Sequence, residues 1–150
     1  MPEPGRGKPV VVLVVEDSPT DALMTQEAFE TSNLMNRLFF VDNGADALAF
    51  LRGQGRYAGK PRPDLILLDL SLPKRNGREV LQEIKTDVNL KTIPVVILSS
   101  SKAEEDVLKS YDLHANCYIT KPIGFDKLAE VVQHISDFWL NVATLPRPKP

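Results

Sequence analysis

Three runs of this chain are apolar almost without interruption: VVVLVV at 10–15, DLILLDL at 64–70 and IPVVILSS at 93–100. A strand with one wet face alternates apolar and polar residues, so unbroken runs of this length and β-branched composition belong to strands covered on both faces. Shorter RLFFV (37–41) and ANCYIT (115–120) bring the candidate strands to five. Helix-period segments lie between them. Ser18-Pro19 is a cap followed by a first-turn proline, opening a helix that contains Ala22, Leu23, Gln26, Ala28 and Phe29. Asn43 opens a second with Leu48 and Leu51, ending near the glycine-rich GQGRYAGKPRP; Val80, Leu81 and Ile84 mark a third, Val107 and Leu108 a weaker fourth, and 125–143 a long fifth. Strand and helix alternating five times predict an α/β architecture, a parallel sheet between helical layers with right-handed crossovers.

At 150 residues the chain has the length of one domain. The expected organisation is a single folded unit over 9–145 with an extended C-terminal helix, and flexible ends at 1–8 and 146–150. A net charge of −2 with 25% charged residues gives no bulk electrostatic attraction to nucleic acid or to a membrane surface. One cysteine, Cys117, cannot close an internal disulfide, and the opening MPEPGRGKP is followed by no long apolar span. A cytoplasmic protein is expected.

In an open parallel sheet the chemistry sits beyond the carboxyl ends of the strands. Five residues of this chain fall there: Glu16 and Asp17 after the first strand, Asp69 at the end of the third, Ser99 after the fourth and Lys121 after the fifth. Taken singly each has an ordinary explanation, since an acidic pair complements a helix N-terminus, an aspartate forms turns and a lysine is usually solvated. Together they put three acids, a hydroxyl and an ammonium on one edge. Carboxylates gathered at the end of a buried strand repel one another and are costly to desolvate, so they call for a cation. His114 and His134 lack spaced partners and read as structural, and the serines at 99–101 have no histidine and acid to form a triad.

This set resembles the receiver domains of two-component response regulators, over about residues 9–136. The matching pieces are Glu16-Asp17 before a helix, Asp69 in LLDLSLPKRNG with its Leu72-Pro73 turn and Gly77, Ser99 in VVILSSS, and Lys121 in ITKP, with Tyr118 three residues earlier. The resemblance implies a flavodoxin-like doubly wound five-stranded parallel sheet, order 2-1-3-4-5, with five helices. It makes Asp69 the phosphoacceptor, Ser99 and Lys121 the groups that hold phosphoryl oxygens, and Tyr118 the aromatic switch. Mg²⁺ suits the all-oxygen site, with ligands from Asp17, Asp69 and the backbone carbonyl of Ser71, and with Glu16 acting through water. Such a protein is a phosphoacceptor rather than an enzyme in the usual sense, since it catalyses only its own phosphorylation and dephosphorylation, and its donor is a histidine kinase.

The last segment, FDKLAEVVQHISDFWLNVATLP, has apolar residues at 125, 128, 132, 135, 139 and 142, with a second stripe at 131, 138 and 145. That spacing is a coiled-coil-like seam. A receiver core is largely complete near 136, so Phe138, Trp139, Val142 and Leu145 are expected to form a homodimer interface. The basic RGQGRYAGKPRP loop and the DFWL helix end look similar to the single-domain regulators that work with bacterial phytochromes, which would make the donor a light-sensing kinase. Among other classes, a haloacid-dehalogenase-type phosphatase needs a second aspartate where Ser71 stands. A dinucleotide-binding enzyme needs a glycine-rich turn where Glu16-Asp17-Ser18-Pro19 stands. A phosphorylation-independent receiver-like binding module is the stronger rival, although such modules typically lack one of the site residues. Only PRPKP follows the last helix, so output is expected through protein contacts and not through a DNA-binding domain.

Overall fold

The computed structural model describes residues 9–32, 34–70, 72, 77–99, 117–120 and 124–142; the side chains of 99, 117, 118, 120 and 138–142 are outside this description. Five strands form one parallel sheet: β1 Val10–Val15, β2 Asn36–Val41, β3 Leu65–Asp69, β4 Val95–Ser99 and β5 Cys117–Thr120, in the order β2-β1-β3-β4-β5. Four helices are described: α1 Pro19–Glu30, α2 Gly44–Arg52, α3 Gly77–Thr86 and α4 Phe125–Val142, with a 3-10 turn at Gly55–Tyr57. The fourth helix expected around Val107 and Leu108 lies outside the described residues. No described helix is long and apolar enough to cross a membrane.

The unbroken apolar runs are explained by the two cores they serve. Leu13, Val15, Ile66, Leu68, Val95 and Ile97 face α2 and α3, whereas Val12, Val14, Leu65, Leu67, Val96 and Leu98 face α1 and α4. β1, β3 and β4 therefore have no wet face, and alternation is absent from them. Helix starts follow local chemistry. Ser18 Oγ accepts from Asp21 N at 3.2 Å and Asn43 Oδ1 accepts from Asp46 N at 2.8 Å, each satisfying a donor that the first turn leaves open. Gly53 ends α2 at φ +63°, a left-handed conformation that suits glycine. Lys85 ties the end of α3 to the approach to β4 by donating to Lys91 O at 3.3 Å and Ile93 O at 3.0 Å, and its partial burial lowers its pKa.

Two packing details differ from what periodicity suggests. In α1 the inner face is Thr25, Ala28 and Phe29, while Leu23 is exposed; the Thr25 hydroxyl is buried at little cost because it donates to Asp21 O at 2.9 Å. In α4 the seam begins as ordinary core: Leu128 and Val132 are buried, Ile135 packs beside them, and Phe125 is exposed. The first half of that stripe is thus consumed by the domain itself.

Candidate functional site

Parallel pairing brings the acids together. Val15 is level with Leu68, so the next residues, Glu16 and Asp69, leave neighbouring strands side by side. Backbone bonds carry both exits slightly past the strands, with Glu16 N donating to Val41 O at 3.0 Å and Leu70 N to Leu98 O at 3.2 Å. The Glu16 carboxylate folds back over the turn that starts α1 and accepts from Ser18 N at 3.2 Å. Asp17 stays exposed. One carboxylate oxygen from each of Glu16, Asp17 and Asp69 lies within 4.8 Å of the others, and Glu16 and Asp69 are 6% and 5% exposed. At that separation each pair of like charges costs roughly 1 kcal/mol even at the dielectric constant of water, and more when water is excluded. Three convergent anionic oxygens, with no nitrogen or sulfur donor joining them among the described residues, fit a hard divalent cation such as Mg²⁺ or Mn²⁺.

Gly77, the first residue of α3, is part of the site's frame. It is buried, its N–H donates to Leu70 O at 3.0 Å, and a Cβ there would lie 2.5 Å from Asp69 O and collide with Leu70 Cα. Only a residue without a side chain lets the helix start this close to the end of β3.

For Ser99 and Tyr118 the structure describes the backbone alone. Asp69 pairs with Leu98, Ser99 with Thr120 and Ile97 with Tyr118, so Ser99 ends β4 next to the acids and Tyr118 lies on the neighbouring edge strand. Ser71, Lys121 and Leu145 lie outside the described residues, as do the side chains of Ser99, Tyr118, Phe138, Trp139 and Val142.

Beside the acids lies a feature that the sequence reading did not anticipate. A cleft of about 290 Å³ is lined by Glu16, Phe40, Asp42, Asp46, Arg56 and Tyr57. Arg56 spans it, donating to Asp46 Oδ2 at 3.1 Å and to the Tyr57 hydroxyl at 2.8 Å. The only signal for it was the basic loop RGQGRYAGKPRP, whose tyrosine packs back onto Phe50.

Comparison with known proteins gives a consistent picture. The response regulator receiver domain model matches residues 12–133. Response regulator Rcp1 of Synechocystis is 51% identical over 138 residues, covering 92% of this chain and 94% of Rcp1. The crystal structure of the phosphorylated cyanobacterial phytochrome response regulator RcpA superposes with a TM-score of 0.83 at 50% identity, over 93% of this chain and 100% of that one. The Mn²⁺-bound form of Rcp1 gives 0.82 at 51% identity, with coverage of 93% and 100%.

Proposed function

Because the chain belongs to the response regulator receiver domain family, we propose that it is a single-domain response regulator that takes a phosphoryl group onto Asp69 from a phytochrome-type histidine kinase and signals through protein contacts. The observation that carries this is the convergence of the Glu16, Asp17 and Asp69 carboxylates within 4.8 Å at the carboxyl edge of the sheet. The kinase assignment rests on half identity, over nearly the whole length, to RcpA and Rcp1.

In the reaction a carboxylate oxygen of Asp69 attacks the phosphorus of a phosphohistidine. An O–P bond forms, the N–P bond breaks, and the imidazole leaves with the electron pair, giving an acyl phosphate. Asp17, Asp69 and the Ser71 carbonyl, with Glu16 through water, would hold Mg²⁺, which would supply charge neutralisation between the carboxylates and the incoming anion. Ser99 donates its hydroxyl and Lys121 its ammonium to phosphoryl oxygens as negative charge grows on them. The new charge then biases a two-state packing element, Ser99 moving towards the phosphoryl group and Tyr118 turning inward behind it. The readout is a protein surface, and nucleic acid has no part in it. The chain acts in the cytoplasm.

Phosphotransfer tests the kinase assignment. A purified phytochrome kinase, prephosphorylated, should transfer to this chain with a kcat/KM at least about tenfold above that of an unrelated histidine kinase; equal rates from both would reject the phytochrome link while leaving the receiver reading intact.

The second half of α4 supports a homodimer. Its inner residues to Ile135 pack on their own domain, whereas Phe138, Trp139, Val142 and Leu145 continue the apolar stripe past residue 133, where the family match ends. Light scattering should give twice the 16.7 kDa chain mass for the intact protein and the single mass for Trp139→Asp. Monomer masses for both would remove the interface.

A further inference from the structure

The outer edge of β2 carries features that the phosphoryl site does not use. Among the described residues β2 is a terminal strand of the sheet and pairs only with β1. Met35 O accepts from Val10 N at 2.8 Å and Val41 O from Glu16 N at 3.0 Å. These two carbonyls are six residues apart along an unbroken register, and a strand has a period of two, so the odd residues turn their backbone groups towards β1. The N–H and C=O groups of Asn36, Leu38 and Phe40 therefore point outward, where no described strand meets them. A row of this kind is a template for another strand.

The side chains along this edge decide what such a strand carries. On the α2 face, the Arg37 guanidinium lies 5.2 Å from the centre of the Phe39 ring and the Lys60 ammonium 5.6 Å from the same centre. Neither cation has a carboxylate in ion-pair reach among the described residues. Their positions are held from below, because Phe39 packs on Phe50 at 5.3 Å and Phe50 on Tyr57 at 5.5 Å, which anchors the loop bearing Lys60. On the opposite face Phe40 is 39% exposed and Leu38 is half-buried, a narrow apolar strip at the spacing of alternate residues.

We propose that the β2 edge docks an extended, acidic segment of a partner protein as a sixth strand, with carboxylates set against Arg37 and Lys60 and apolar or β-branched side chains against Leu38 and Phe40. A second copy of this chain is a poorer occupant. Edge-to-edge pairing of two β2 strands would bring Arg37 and Lys60 of one copy close to those of the other, and like charges oppose such pairing. The proposal is independent of phosphorylation at Asp69.

The test uses the full chain and a fluorescein-labelled octapeptide in which glutamate alternates with valine and threonine, read by anisotropy. Saturable binding is expected, and a peptide with lysine in place of glutamate should not bind. Leu38→Pro is the decisive variant, since its proline removes an outward donor and leaves the β1 ladder whole. It should weaken binding at least about tenfold with circular dichroism and Mg²⁺-dependent phosphorylation unchanged. Should that variant fail to fold, the exposed substitutions Arg37→Glu and Lys60→Glu carry the same expected loss. The inference is overturned by absent saturable binding, by equal binding of the lysine peptide, by a folded Leu38→Pro that binds like the parent, or by binding unaltered in the two charge reversals.

Discussion

Asp17→Asn is expected to weaken Mg²⁺ binding at least about tenfold and, in the absence of metal, to raise the stability of the protein by up to about 1 kcal/mol. The two effects have one cause. Three carboxylates share a space of 4.8 Å, and the burial of Glu16 and Asp69 keeps their charges from being fully screened. Without a cation the folded state bears that repulsion, which the unfolded chain relieves by separating the residues. With a cation the same charges become ligands. Removing one therefore stabilises the empty site and impairs the filled one. Urea unfolding with and without Mg²⁺ reads both. In the parent protein the midpoint should rise with metal concentration, because binding to the native state alone adds stability by mass action. In Asp17→Asn the metal-free midpoint should be higher and the rise much smaller. Unchanged metal dependence would mean that Asp17 is not a ligand of the metal.

Substitution of Gly77 is expected to be the most damaging single change to the frame of the site. Gly77→Ala should cost about 1–3 kcal/mol, the range for forcing an extra carbon into a packed position. The atoms in the way, Asp69 O and Leu70 Cα, are backbone and cannot swing aside. Relief requires α3 to retreat from the end of β3, which would also move Asp69 and slow its phosphorylation. Gly124→Ser is the matched control. Nothing lies within 4 Å of a Cβ there, and Gly124 O begins the first turn of α4 by accepting from Leu128 N at 3.0 Å, so serine at this capping position should change stability by less than about 0.5 kcal/mol. Thermal melts of both variants check the pair. Equal melting temperatures would contradict the close approach of α3 to β3.

The legibility of this chain follows from the kind of signal each part carries. β1 was readable to the residue as Val10–Val15, because a strand buried on both faces leaves an apolar run with sharp ends. The glycine and asparagine at the ends of α2 were readable for a related reason, since backbone conformation and capping act through one residue each. The acids at 16, 17 and 69 were readable as a cluster once the strands were assigned, because parallel register sets Glu16 beside Asp69 and Asp17 is the next residue. The inner face of α1 was not, since Thr25 is buried through a bond to its own helix backbone and hydrophobicity does not report that. Nor was the direction of α4's stripe, which periodicity defines without saying whether the surface it meets belongs to the same chain. The cleft by Arg56 was hidden because it depends on a loop folding back through Phe39, Phe50 and Tyr57, residues spread over 18 positions that share no repeat.

The central claim, a metal-dependent phosphoacceptor at Asp69, is tested most directly by intact-mass spectrometry after incubation with Mg²⁺ and acetyl phosphate, comparing the parent chain with Asp69→Asn. One added phosphoryl group that requires Mg²⁺ and is lost in the variant is the predicted result. An adduct that persists in Asp69→Asn, or none in the parent chain with the metal present, would contradict it and leave a receiver fold that works as a binding module.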